Sequence, residues 1–345
     1  MKMKNLLLLL TFGILSYSVA AQFADSANHY YVLASKQKND QRYAEAEKLY
    51  SKSYKFDQKN FDVLYDWATV LMSQKRYRDA QDKLEKADRL NNKHAGVLEN
   101  LATISLNTHQ WDRAIQYAQR FQQLNTKKPI SFVIAKSYYE LENFGESLKY
   151  CELAFKEEPK RAEIPYIAGR CFMEMSNYRR AAGCYDQAIG LDSSNATWMY
   201  EAGLMWYAVP DDKKAIYWIE RAGQKGYTKS NDYYENLSNA YLNVGNYAKG
   251  IELLQEVLKN KPEDKEILYN VAEAHYKSKK YQEAINYWDK VLAVDPKNAH
   301  ALYMIGMSYQ KKGDKAKGTQ LCEKAIQMDP SLKNLREEIK MPGGL

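Results

Sequence analysis

Apolar residues recur along this chain at spacings of three and four, which is the period of an α-helix. In residues 265–298 this pattern predicts one helix over 265–277 and a second helix over 282–293. Pro296 ends the second helix, because the residue before a proline is pushed out of the helical conformation. Two helices and two turns therefore fill 34 residues, and the rest of the chain repeats this arrangement.

The same 34-residue unit aligns nine times over residues 27–332. The predicted repeats are 27–60, 61–94, 95–127, 128–161, 162–195, 196–230, 231–264, 265–298 and 299–332. Each repeat is numbered from position 1 below. Because stacked repeats share one core, the pattern predicts a single solenoid rather than the two domains that the length of 345 residues suggests.

Two positions are occupied only by alanine, glycine or serine. Position 8 is Ala34, Ala68, Ala102, Ala135, Gly169, Gly203, Ser238, Ala272 and Gly306. Position 20 is Ala46, Ala80, Ala114, Ser147, Ala181, Ala215, Gly250, Ala284 and Gly318. Two helices approach to about 8–10 Å where their crossing side chains are small. These positions therefore predict the contact between the two helices of each repeat.

Position 17 is aromatic in most repeats, and position 32 is proline in Pro159, Pro262, Pro296 and Pro330. With the small residues at positions 8 and 20, this pattern resembles the tetratricopeptide repeat family, whose period is 34. The resemblance implies an all-α, right-handed α-solenoid, or superhelix, of nine helix pairs. It also implies a scaffold that binds proteins without catalysis or a cofactor. Residues 333–345 are predicted to form a short capping helix and a tail.

In this family the first helices of the repeats line a concave groove with positions 2, 5, 9, 12 and 13. Positions 5, 9 and 12 supply the candidate partner-binding residues Tyr31, Tyr65, Phe132, Tyr139, Tyr166, Arg170, Tyr200, Tyr207, Asn239, Tyr269, Tyr276 and Tyr303. Tyrosine combines a large apolar contact with a hydroxyl group and is frequent in protein interfaces. The tyrosines predict binding of a protein segment. Binding of a carbohydrate or cell-wall polymer, or stacking of the tyrosines on one another, stays open.

One familiar binding mode is disfavoured by these positions. Family members that grip the C-terminal carboxylate of a partner carry lysine at position 5 and asparagine at position 9. Here position 5 is never lysine, and the repeat that carries Asn239 has Glu235 at position 5. The resemblance therefore does not predict a carboxylate clamp.

Residues 1–21 have the character of a secretory signal peptide. Lys2 and Lys4 precede the apolar run Leu6–Leu15, and small residues at 18–21 suit a signal peptidase. An uncleaved membrane anchor is the alternative, but the run is about half the length that a bilayer needs. We expect export to the periplasm or secretion, without a spanning segment in the mature protein.

Charge, catalytic motifs and cysteines give little indication of any other function. The chain has a formal charge of +7 but no cluster of basic residues, so nucleic-acid binding is not predicted. No nucleophile motif, phosphate loop or metal-ligand spacing occurs, so an enzyme is not predicted. The four cysteines, Cys151, Cys171, Cys184 and Cys322, are expected in the core, and their disulfide state is left open. The identity of the partner and the oligomeric state are also left open.

Overall fold

A computed structural model describes residues 24–124 and 127–334, and this part of the chain is helical with short turns and no strand. The helices are α1 (24–39), α2 (Tyr43–Phe56), α3 (Phe61–Ser73), α4 (Tyr77–Leu90), α5 (Ala95–Asn107), α6 (Trp111–Gln122), α7 (Ser131–Glu140), α8 (Phe144–Glu157), α9 (Glu163–Glu174), α10 (Tyr178–Leu191), α11 (Ala196–Ala208), α12 (Asp212–Gln224), α13 (Asn231–Asn243), α14 (Tyr247–Asn260), α15 (Lys265–Lys277), α16 (Tyr281–Val294), α17 (Ala299–Lys312) and α18 (Lys315–Met328). The predicted all-α class is confirmed.

The chain divides into two compact units, the first ending at Cys171 and the second beginning at Phe172. Within each unit, consecutive helices pack on one another, and odd-numbered helices alternate with even-numbered helices. We call the odd-numbered helices A helices and the even-numbered helices B helices. The helix predicted over 265–277 has these bounds, and the helix predicted over 282–293 extends one residue further at each end.

The small residues at positions 8 and 20 lie where the A and B helices of a repeat meet. A Cβ atom on Gly306 would lie 2.8 Å from the carbonyl oxygen of Gly318. Where serine replaces alanine, its buried hydroxyl donates a hydrogen bond across the same contact. Ser147 donates to the carbonyl of Ala135 at 2.8 Å, and Ser238 donates to the carbonyl of Gly250 at 2.9 Å. The crossing therefore tolerates a polar side chain only when that side chain is small and satisfied.

The turn from an A helix to its B helix places position 15 in the left-handed conformation. Glycine holds this position at Gly245, with a φ of 77°, and at Gly313, with a φ of 106°. The other seven repeats adopt a positive φ there without glycine, at Gln41, Lys75, His109, Glu142, Ser176, Pro210 and Lys279. Since this conformation crowds a Cβ atom, these turns are held by the packing of the helices on either side.

The two ends of the predicted architecture lie partly outside the described residues. The predicted signal peptide at 1–21 and most of the predicted capping helix lie outside them. Pro330–Leu332 forms a short 3₁₀ helix, and Leu332 is buried in a cluster that includes Tyr303 and Cys322. No helix in the described ranges has both the length and the apolar character that crossing a bilayer requires.

Candidate functional site

The candidate residues near the start of the chain are tied to their neighbours. The Tyr31 hydroxyl donates a hydrogen bond of 2.9 Å to Asp66 on the next A helix. Burial, followed by this bond and the charge of Asp66, raises the pKa of Tyr31 to about 12. The Tyr65 ring lies edge-on to His94 at 4.9 Å, and its hydroxyl occupies the space that a side chain at Gly96 would need.

The other candidates in the first unit form a cation–aromatic group. The guanidinium of Arg170 donates a hydrogen bond of 3.1 Å to the Tyr166 hydroxyl and lies 5.5 Å from the centre of the Tyr139 ring. All three side chains are half-buried. Phe132 is only 5% exposed, and the guanidinium of Arg161 covers its ring at 3.7 Å.

Tyr200 in the second unit is also committed to internal contacts. It is 7% exposed, and its ring stacks on Tyr227 at 4.2 Å. The Asn236 side-chain amide donates a hydrogen bond of 2.8 Å to its hydroxyl oxygen. This bond joins α11 to α13, so Tyr200 stabilises the stacking of two repeats.

Tyr269, Tyr276 and Tyr303 likewise contact other aromatic side chains or the core. Tyr269 shares a hydrogen bond of 3.0 Å with His300, and Tyr276 lies edge-on to the Tyr281 ring at 5.6 Å. Tyr303 is 2% exposed. Stacking and hydrogen bonding between neighbouring helices therefore account for many of the candidate tyrosines. These tyrosines, called the tyrosine row below, do not form an open surface of exposed rings.

A pocket of about 180 Å³ lies on the A helices α11, α13 and α15 of the second unit. Its lining includes Tyr207, Asn239, Asn243, Asn270, Glu273 and Lys277. Tyr207 and Asn239, at positions 12 and 9, are among the candidates predicted from the sequence. Asn243 and Lys277 occupy position 13, which belongs to the same groove stripe but does not stand out by residue type. Asn270 lies at position 6 of the repeat that follows Asn239.

The amides of this pocket are available to a ligand. Within the part of the chain that the structure describes, the side chains of Asn239 and Asn270 form no hydrogen bond to protein. Each carboxamide can donate and accept at once, as a peptide group can. Lys277 is held by Glu273 in an ion pair of 2.8 Å. The pocket therefore offers neutral amides beside a neutralised charge pair.

The electrostatics change one helical turn from Asn239. Glu235 faces the same side of α13, because residues four apart share a helix face. Burial raises the pKa of Glu235, the positive charge of Lys261 lowers it, and the negative charges of Asp232, Asp264 and Glu266 raise it further. The end of the site near Glu235 is therefore acidic.

The histidines, cysteines and carboxylates of the described residues were the remaining candidates for a metal site. No group of three His, Cys, Asp or Glu side chains within 24–124 and 127–334 is arranged to hold a metal ion. Cys151, Cys171 and Cys322 are buried, as expected, and Cys184 is half-buried.

Sequence comparison identifies repeats along most of the chain. A model described as Tetratricopeptide repeat matches residues 65–129, 168–227 and 236–289. A model described as TPR repeat matches 274–313, and a further Tetratricopeptide repeat model matches 299–332. No curated protein is significantly similar in sequence to this chain.

Several solved structures resemble the chain. YrrB, described as a TPR protein with an unusual peptide-binding site, is 24% identical over 55% of this chain and 98% of its own, with a TM-score of 0.46. Part of a TPR repeat-containing protein from Cytophaga hutchinsonii is 21% identical over 70% of this chain and 98% of its own, with a TM-score of 0.49. MamA from Desulfovibrio magneticus RS-1 is 13% identical over 50% of this chain and 96% of its own, with a TM-score of 0.43.

Proposed function

This chain belongs to the tetratricopeptide repeat family, and from that premise we propose an exported, non-catalytic scaffold that holds a segment of another protein. The segment lies on α11, α13 and α15. The observation that carries the proposal is the pocket in which the amides of Asn239 and Asn270 are free of protein hydrogen bonds. Two neighbouring A helices thus present groups that pair well with a peptide main chain.

The tyrosine row supports this site indirectly. Contacts such as the bond between Asn236 and Tyr200 fix the spacing of α11 and α13, which in turn fixes the pocket. A pre-formed pocket loses less entropy on binding than one that must order first. Carbohydrate stacking would need exposed ring faces, and the rings of Tyr200 and Tyr303 are buried.

Export is proposed from the N-terminal sequence. The basic, apolar and small-residue segments of residues 1–21 support removal during secretion into a periplasm or the medium. Fractionation followed by N-terminal sequencing tests this proposal. We expect a mature protein outside the cytoplasm that begins at Ala21 or Gln22, and an intact Met1 on cytoplasmic protein would contradict it.

Photo-crosslinking from the pocket tests the scaffold proposal. A crosslinking amino acid at Lys277, whose side chain is 55% exposed, should capture a partner protein in the native cell envelope. The matched control places the same residue at Asn286, which is exposed on the B helix α16. We expect capture from 277 only, and loss of capture when Asn239→Ala and Asn270→Ala are combined.

The results separate the alternatives. Equal capture from 277 and 286, or capture that survives both asparagine substitutions, would refute the pocket as the site. A thermal shift with cell-wall oligosaccharides, without any captured protein, would instead favour the polymer-binding alternative.

A further inference from the structure

Glu235 interrupts the aromatic row at a place where its charge is not balanced. In the second unit, position 5 is tyrosine in the repeats on either side, at Tyr200 and Tyr269. Within the described residues, no lysine or arginine lies within 4.0 Å of the Glu235 carboxylate, and Asp232 and Glu266 also lack such a partner. Three carboxylates therefore share this end of the site without a close cation.

The surroundings of Glu235 come from three helices. Lys261, at the end of α14, is the one cation whose charge favours the ionised carboxylate. Asp264 and Glu266 at the start of α15 and Asp232 on α13 act in the opposite direction. Burial is the largest cause of the raised pKa of Glu235, and these negative charges raise the pKa further. A cation brought by a partner would relieve this repulsion.

Asn239 places the acidic end next to the pocket. It lies four residues after Glu235 on the same face of α13, which corresponds to about 6 Å along the helix axis. An extended peptide advances about 3.3 Å for each residue. A segment whose main chain meets Asn239 therefore brings the side chain about two residues away to the level of Glu235.

Building on the function proposed above, we propose that the segment held in this pocket carries a lysine or arginine side chain that pairs with Glu235 while its main chain meets Asn239 and Asn270. The described residues that line the pocket give an acidic residue no free cation, because Lys277 is already paired with Glu273 at 2.8 Å. The occupant is thus an extended basic peptide segment rather than an acidic one.

Labelled heptapeptide pools test the charge preference. Each acetylated and amidated pool has a fixed central residue, which is lysine, arginine, alanine or glutamate, flanked by random uncharged residues. Binding to the mature chain is followed by fluorescence polarisation at low salt. We expect the lysine and arginine pools to bind about fivefold more tightly than the glutamate pool, which is the upper range for an exposed ion pair.

Two substitutions test whether Glu235 causes the preference for a basic central residue. Glu235→Gln should bring the pools to within about twofold of one another, and higher salt should act in the same direction. Glu99→Gln is the matched control, since Glu99 is the other glutamate at position 5 and is already paired with Lys128 at 2.7 Å. It should leave the preference unchanged.

Failure of this inference differs from failure of the proposed function. If all pools bind equally and the combined Asn239→Ala and Asn270→Ala variant removes binding, the pocket binds peptides and the charge preference is refuted. The preference is also refuted if the glutamate pool binds best. If no pool binds, the pocket does not hold short segments, and both proposals fall.

Discussion

Two glutamates occupy the same repeat position on two A helices, Glu99 on α5 and Glu235 on α13, and their surroundings make them different. Glu99 forms an ion pair of 2.7 Å with Lys128 at position 1 of the following repeat. The equivalent lysine at position 1 of the repeat after Glu235 is Lys265, and it lies 3.1 Å from Asp295 instead. One carboxylate is therefore neutralised, while the other is left among like charges.

The pairing of the lysine accounts for the difference. Position 31 supplies Asp295 at the end of α16, where it holds Lys265. The pocket then lies beside the unneutralised glutamate and not beside the paired one. The repeat position determines where a side chain starts on its helix. The residues of the adjoining repeats determine which ion pair that side chain forms.

The largest effect should come from the tyrosines that precede the two glutamates, Tyr65 and Tyr200. Tyr200→Ala should lower the free energy of unfolding by about 3–4 kcal/mol, because it opens a cavity beside Tyr227 and leaves Asn236 without its bond. Tyr65→Ala should cost about 1–2 kcal/mol, because its ring is only half-buried. Urea denaturation followed by circular dichroism gives both values, and equal losses would contradict the comparison.

The turns that follow the same two A helices also differ. Gly245, after α13, has a φ of 77°, whereas His109, after α5, adopts a φ of 58° without glycine. Gly245→Ala should lower the free energy of unfolding by about 1 kcal/mol, because a Cβ atom is crowded there. Gly183→Ala, in the middle of α10 with open space around it, should have the opposite sign. A loss at both positions in chemical denaturation would refute this account of the turn.

Replacing Glu235 should change stability in a pH-dependent way. The pKa of Glu235 is raised in the folded protein above its ordinary value of 4.5, so the folded state binds its proton more tightly than the unfolded state does. Its ionisation therefore costs stability above the raised pKa, and that cost is absent below about pH 4. Glu235→Gln should raise Tm at pH 7 but not at pH 3.5, whereas Glu99→Gln should not raise it at pH 7. Calorimetry at both pH values checks this difference.

The smallest effect should follow from releasing Lys265. Asp295→Asn removes its present partner, so Lys265 becomes available to Glu235 as Lys128 is to Glu99. We expect the affinity for the lysine-centred peptide pool to fall about twofold, because an exposed ion pair contributes little. Asp57→Asn, at the same position of the first repeat, is the control. A gain in affinity from Asp295→Asn would contradict the role given to Lys265.

Much of the fold could be read from the sequence, because it depends on residue size and spacing. The small residues at positions 8 and 20 leave room for the crossing of two helices and for little else, as the contact between Gly306 and Gly318 shows. The helical period gave the bounds of α15 without error. Such local constraints act within one repeat, so the repeat carries the information about its own helices.

The candidate site could be predicted only in part. Tyr207 and Asn239, two candidates predicted from the sequence, line the pocket, but Tyr200 and Tyr303 at position 5 are buried. Periodicity assigns a residue to a face of its helix. It does not say whether the next helix will cover that face, and here the aromatic rings contact neighbouring repeats.

The sequence by itself determined the number of helix pairs, their phase and the small residues at their crossings. Only the tertiary structure decided that Asn236 forms a hydrogen bond with Tyr200 and that Lys265 forms an ion pair with Asp295. It also decided that the amides of Asn239 and Asn270 line a pocket. The physical reason is the range of the interactions. Packing within a repeat is encoded over 34 residues, whereas hydrogen bonds and charges choose among partners that only the stacking of separate repeats brings into reach.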